Sequence, residues 1–209
     1  MAANGTGNFL YATDFHNNRI DVFDKEFKPA TLPGSFDDPS IPDGFAPFGI
    51  RNINGDRYVT YAKQDEEKED DVAGEGLGFV NIFDANGQLI RRFASAGKLN
   101  APWGLALAPA DFGKFSNRLL IANFGDGTIN AHDLATGTFL GRLKQPDGRR
   151  LMIDGLWGIS FGNGIQNQPT NVLFFAAGPG DEAHGLYGRI EPLPDEDSDS
   201  AAMGDDAAD

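Results

Sequence analysis

Cysteine is absent from the 209-residue chain, which excludes disulfides, thiolate metal ligands and cysteine nucleophiles while leaving the compartment open. No run of about 18 apolar residues occurs, so no segment reads as a membrane-spanning helix. The opening Met1-Ala2-Ala3-Asn4-Gly5 shows neither the basic nor the apolar part of a signal peptide. Basic residues are scarce as well, with 17 Lys and Arg against 31 Asp and Glu for a net charge of −14. Binding to phosphate backbones needs a stripe of clustered cations. None is present, so nucleic acid is not an expected partner. Walker A and dinucleotide fingerprints are missing too. Two segments hold most of the acidity. The tail Pro192–Asp209 contributes −7, and Asp65-Glu66-Glu67-Lys68-Glu69-Asp70-Asp71 contributes −5, together −12 of the −14. With Met203 as its only large apolar residue beyond Leu193, the tail is expected to be disordered.

What the chain does have is glycine, 27 residues, and 12 prolines, alongside 40% hydrophobic content. That combination describes a turn-rich domain able to bury a core. It also has a repeat. Pro47-Phe48-Gly49-Ile50, Pro102-Trp103-Gly104-Leu105 and Leu156-Trp157-Gly158-Ile159 place their glycines 55 and 54 residues apart. A β-rich run follows each: Arg57–Ala62, Arg118–Asn123 and Val172–Ala176, with one more at Asn8–Thr13. A third run recurs as Arg19–Asp24, Phe79–Asp84, Thr128–Asp133 and Leu186–Ile190. A fourth follows a turn at Gln88–Phe93, after Asn86-Gly87, and at Thr138–Leu143. Asn-Gly between two such runs is a hairpin signal. Four short strands per unit of about 50 residues, with no helix-length pattern, is the signature of a β-propeller blade.

Calling the strands of a blade A to D, the chain reads BCD, ABCD, ABCD, ABC. The expectation is therefore an all-β, incomplete propeller of 14 strands, about three and a half blades, over residues 1–191. Strands B–D of the first blade fall at about 8–34, the second blade at 46–94, the third at 102–144, and strands A–C of the fourth at 156–191. Residues 192–209 form the tail. Six blades of about 54 residues would need roughly 324 residues, so the chain is expected to be the C-terminal part of a longer protein. Its missing N-terminal blades would then be a partner.

The runs around Asn8–Asp24, Tyr58–Asp84, Ala101–Asp133 and Ile153–Gly164 resemble the uncharacterised NHL-like six-bladed propeller proteins. These occur mainly in bacteria, and some carry exosortase-type sorting tails. The resemblance covers about residues 1–191 and implies an exported, extracellular or periplasmic protein. It supplies no activity to carry over.

In an up-and-down meander the B–C loops and D–A connections share one face. That face collects Asp14 and His16, the long loop containing Gln64, Asp65, Asp70 and Asp71, then Asn123 and Asp126, and finally Asp181. The strand-start aromatics Phe48, Trp103 and Trp157 lie next to it. Polar loops on a rigid scaffold are where function gathers, although Asp and Asn also serve simply as turn formers. Six carboxylates within seven residues suit hard cations such as Ca²⁺ or Mg²⁺, yet the EF-hand spacing is missing and charge runs are commonly solvated loops. Gly158-Ile159-Ser160-Phe161-Gly162 matches G-x-S-x-G, with Asp181 and His184 following in hydrolase order, but a nucleophile elbow needs a strand-turn-helix. Ser160 falls mid-strand. His16, His132 and His184 show no zinc spacing. The reading is a non-enzymatic module binding a small molecule, glycan or protein. The alternative is a divalent-metal-dependent hydrolase or lyase with its site in the central funnel, an analogy of fold alone.

Overall fold

The computed structural model describes residues 2–3, 5 and 7–193. The tail expected to be disordered lies outside the described residues from position 194 on. Four antiparallel sheets follow one another along the chain, each built from consecutive strands. The first contains β1 (Ala2–Ala3), β2 (Asn8–Asp14) and β3 (Arg19–Phe23). The second contains β4 (Phe45–Ile53), β5 (Asp56–Lys63), β6 (Phe79–Phe83) and β7 (Leu89–Ser95). The third has β8 (Pro102–Leu107), β9 (Leu119–Asn123), β10 (Ile129–His132) and β11 (Phe139–Arg142). The fourth has β12 (Leu156–Phe161), β13 (Leu173–Ala177) and β14 (Leu186–Ile190). Among the described residues the only helix is a single 3₁₀ turn, Gly113–Phe115. The architecture is that of a β-propeller, here four blade-like sheets packed in sequence order.

Among the described residues the count of 14 strands equals that of the sequence reading, but the first sheet is composed differently. A short inner strand, Ala2–Ala3, pairs with Asn8 and Phe9. The expected fourth strand shrinks to one bridge between Phe23 and Pro29. The segment begins as a strand, with the Ala30 N–H donating to the Val22 carbonyl at 2.9 Å, and then leaves the sheet. Gly34 and Phe36 donate instead to the Asn86 and Gly87 carbonyls at 2.8 and 3.0 Å. The Phe36 ring is buried between Tyr11 and Phe83, with centroids 5.6 and 5.4 Å away. Burying an aromatic ring at the seam between two sheets outweighs two ladder hydrogen bonds.

Each core lies between successive sheets. Tyr11 and Val22 of the first sheet meet Val59 and Phe83 of the second. Tyr58 and Ile82 of the second meet Leu105 and Ile121 of the third. Leu120 and Ala122 of the third meet Leu156 and Leu173 of the fourth. This explains the burial pattern along the strands. In β9 and β10 every residue is buried, because these middle strands are covered on both faces.

The recurrent glycines set how closely the inner strands approach. A Cβ on Gly49 would collide with the Trp103 carbonyl. One on Gly104 would stand 2.7 Å from the Trp157 carbonyl and 2.9 Å from the Ile159 nitrogen. Gly158 meets nothing within 4 Å. The turns between third and fourth strands repeat as well. Asp84 Oδ1 accepts the N–H groups of Asn86 and Gln88, and Asp133 Oδ1 those of Ala135 and Thr136. Asp24 does the same for Glu26 and Lys28, an Asx turn in each case.

A polar pair ties the third strand to the fourth. Asn81 and Arg92 are register partners, as are Asn130 and Arg142. The Arg92 guanidinium donates to Asn81 Oδ1 at 2.5 Å, and Arg142 to Asn130 Oδ1 at 2.9 Å. Arg92 also reaches Asp38 at 2.5 Å. Burial alone would raise the Asp38 carboxyl. Hydrogen bonds from Ser40, Arg92 and Asn81 outweigh it and hold the group at about 2.

Inserting a methyl group at a backbone contact forces the strands apart, at a cost of about 1–3 kcal/mol. Gly104→Ala is therefore expected to lose about that much in urea unfolding, and Gly158→Ala to stay within about 0.5 kcal/mol of the parent. Equal effects at the two positions would remove strand approach as the reason for the repeat.

Candidate functional site

The loops that follow β2 and β9 and the starts of β4 and β8 converge on one face. Phe15, the residue after β2, packs on Phe48 of β4 with centroids 5.0 Å apart. Phe48 packs on Trp103 of β8 at 4.8 Å. Phe124, the residue after β9, closes the group, 5.9 Å from Trp103 and 6.3 Å from Phe48. Four rings from three sheets form one half-buried cluster. Trp157 of β12 lies one inner strand further round. Its indole rests against the Gly178 backbone, where a Cβ would collide with it, and its Nε1–H donates to Glu182 Oε1 at 2.6 Å.

The acidic loop folds into a small hairpin beside this cluster. Gln64 and Asp71 form a bridge, Asp65 N–H donates to the Asp70 carbonyl at 2.9 Å, and Val72 N–H donates to the Lys63 carbonyl at 2.8 Å. Residues 66–70 at its tip are exposed. Its base is anchored: the buried Gln64 donates through Nε2 to the carbonyls of Phe15 at 2.6 Å and His16 at 3.3 Å. His16 Nδ1 in turn meets the Lys68 carbonyl at 3.1 Å. On the return, Gly74 N–H donates to Asn100 Oδ1 at 2.6 Å. Gly125, next to Phe124, lies so close to Asn100 and Ala73 that a Cβ there would meet both.

Asp71, the bridge partner of Gln64, is thereby held half-buried at the base of the hairpin. Burial pushes its carboxyl up to about 6, with the negative charges of Asp70 and Glu182 adding to the rise. A carboxyl raised to about 6 is the chemically unusual group on this face.

The sequence-derived candidates divide in two. Trp103 is part of the aromatic cluster and Gln64 is bonded to the Phe15 and His16 carbonyls beside it, while Asp71 is the bridge partner of Gln64 and feels the charge of Glu182, which holds Trp157. The others have local duties. Asp14 accepts from Asn17 and pairs with Arg19 at 3.1 Å, and the Asn17 hydrogen bond lowers its carboxyl below the ordinary value. Asp65 Oδ1 accepts the Glu69 N–H at 3.0 Å, and Asp70 is exposed at the hairpin tip. Asn123 is buried and donates to the Lys98 carbonyl at 2.9 Å. Asp126 accepts the Thr128 N–H and hydroxyl. Asp181 is exposed in a left-handed conformation, φ 51°. Among the described residues no group of three or more His, Asp or Glu lies together as a cation site would require.

Ser160 does not meet Asp181 or His184. Ser160 pairs with Phe174, whereas the loop carrying Asp181 and His184 leaves β13 beyond Ala177, which pairs with Leu156. Four residues of strand, roughly 13 Å, separate the two ends. Ser160 Oγ instead accepts Arg51, which reaches past the intervening inner strand at 3.1 Å. His132 is a core residue, buried between Phe93 and Phe139, and burial lowers its pKa.

Phe15, Phe124 and Glu182 are site residues that the sequence reading did not single out. For the two phenylalanines a signal exists, since both directly follow a second strand ending in Asp14 or Asn123.

No family model matches the chain. It is 41% identical over 155 residues to one uncharacterized protein of Acanthamoeba polyphaga mimivirus, a match covering 72% of this chain and 29% of that protein. It is 35% identical over 189 residues to a second, covering 88% of this chain and 46% of the relative. The chain thus spans less than half the length of these curated relatives. A solved streptogramin B lyase structure superimposes with a TM-score of 0.48 at 17% identity, covering 92% of this chain and 54% of that one.

Below pH 3.8 Asp71 is protonated in both folded and unfolded chains. Between 3.8 and about 6 the unfolded chain ionises first, and above that range the folded state bears the full cost of the buried charge. Asp71→Asn removes that cost. After allowance for partial exposure, the variant should gain about 1 kcal/mol, or about 2–4 °C in Tm, at pH 8, and nothing at pH 3.5. Melts that differ equally at both pH values would show that the carboxyl is not strained.

Proposed function

We propose that the chain is a non-enzymatic binding module whose ligand is a glycan held on the aromatic face. The observation that carries this reading is the joining of Phe15, Phe48, Trp103 and Phe124 into one cluster beside Asp71 and the Trp157–Glu182 pair. Aromatic rings offer flat apolar area on stiff side chains. A sugar ring has a C–H face for such a surface and hydroxyls at its rim. Asp71, whose carboxyl burial raises to about 6, accepts from a hydroxyl when ionised and donates to one when protonated, and Glu182 accepts. The anchored hairpin gives the face one wall. A few convergent polar groups around an apolar floor are the ordinary make-up of a binding site. The extracellular or periplasmic location implied by the NHL-like resemblance belongs to the same proposal, since glycans are abundant there.

The chain has two tryptophans, so Trp157→Phe leaves Trp103 as the sole indole reporter. Titrating that variant with cello-, chito-, malto- and xylo-oligosaccharides should give a saturable fluorescence change for at least one series. Calorimetry with the same sugar should show a loss of tenfold or more for Trp103→Ala, as for removal of a stacking aromatic hot spot, and a smaller loss for Asp71→Asn. No saturable response to any series, or equal binding by Trp103→Ala, would overturn the assignment.

A further inference from the structure

The outer edge of the first sheet carries a second, separate feature. In the second and third sheets the third strand is covered along its length by a fourth. On β3 the cover stops at Val22, whose carbonyl accepts the Ala30 N–H. Backbone groups of alternate residues point to the same side of a strand, so Ile20 turns its N–H and C=O the same way as Val22. The described residues place no strand there. What lies there is an open groove of about 690 Å³, walled by Ile20, Asp21 and Val22 on one side and by Leu32, Pro33 and Asp37 on the other. The groove exists because the chain's own continuation leaves to bury Phe36.

The residue facing this gap has counterparts. Asp21 stands three residues before its turn aspartate, Asp24, as Asn81 stands before Asp84 and Asn130 before Asp133. Both of those asparagines have an arginine as register partner on the fourth strand. Eight residues after the turn aspartate, where the second sheet presents Arg92, the chain itself presents Leu32. The first sheet therefore has the acceptor half of the recurrent pair, as a full carboxylate, without a cation from a fourth strand. Arg19 contacts Asp21 at 3.0 Å from the same strand, and also Asp14 at 3.1 Å. It keeps the second partner when the first is taken. Asp37 adds another negative group to the groove.

We propose that β3 is a strand-addition site that takes an extended, arginine-bearing segment of a partner protein, with the arginine opposite Asp21. The open backbone groups of Ile20 supply the ladder, as in other β-augmentation, and the carboxylate supplies the register. This surface is distinct from the aromatic face and does not depend on the glycan reading.

A labelled peptide with the sequence of residues 88–95, Gln-Leu-Ile-Arg-Arg-Phe-Ala-Ser, is the probe, since it forms the fourth strand of the second sheet. Fluorescence anisotropy with the full chain should give saturable binding, and amide exchange at Ile20 should slow on saturation. Asp21→Arg should weaken binding at least tenfold. A peptide with glutamate in place of the arginine that corresponds to Arg92 should bind the parent weakly and the Asp21→Arg chain well. Three results would overturn the proposal: no saturable binding; binding unaffected by Asp21→Arg or without protection of Ile20; or an Ile20 amide already protected in a concentration-dependent way without peptide. The last would make a second copy of this chain the occupant.

Discussion

Everything on the aromatic face depends on how close one inner strand lies to the next. Gly49 and Gly104 allow the backbone of each inner strand to rest against the carbonyl that follows the motif aromatic of its neighbour. Any side chain there would widen the gap by the thickness of a methyl group or more. The spacing does two things together. It lets the side chains of successive sheets interdigitate into three cores, and it brings Phe48 and Trp103, which precede those glycines, within stacking distance. The residue that makes the fold compact and the residue that makes the platform are adjacent in sequence.

The acidic hairpin shows how charge is separated from structure. Its tip carries the carboxylates that water solvates, while its base is fastened by Gln64 to the first sheet and by Gly74 to Asn100. Asp71 stands at the boundary between the two, too near the apolar face to ionise freely. That single position converts a solvated run of charge into a group of altered chemistry.

The propeller was legible in the sequence because the same local instructions recur from blade to blade: a glycine after an aromatic in three of them, Asx turns in three, and β-rich runs in all four. The missing fourth strand of the first sheet was not legible. Thr31 and Leu32 read as a strand, and what draws them off is the burial of Phe36 against Tyr11 and Phe83, a contact across 25 and 47 residues of sequence. The site was half legible. Trp103 and Trp157 stood out through the repeat, and Phe15 and Phe124 were open to the same comparison. The elevated carboxyl of Asp71 could not be told from those of its five acidic neighbours, because only the folded loop distinguishes them. Asp14, Asn123 and Asp126 shared the composition of a ligand set, but the hydrogen bonds of Asp14 and Asp126 close local turns, and those of Asn123 tie its strand end to Lys98 and Asn100.

The bond between Arg51 and Ser160 joins the inner strands of the second and fourth sheets while bypassing the third. Contacts between neighbouring sheets fix each angle only with respect to the next, so small deviations accumulate along the series. A link that skips a member acts as a chord across an arc. It sums two angles and resists their opening together.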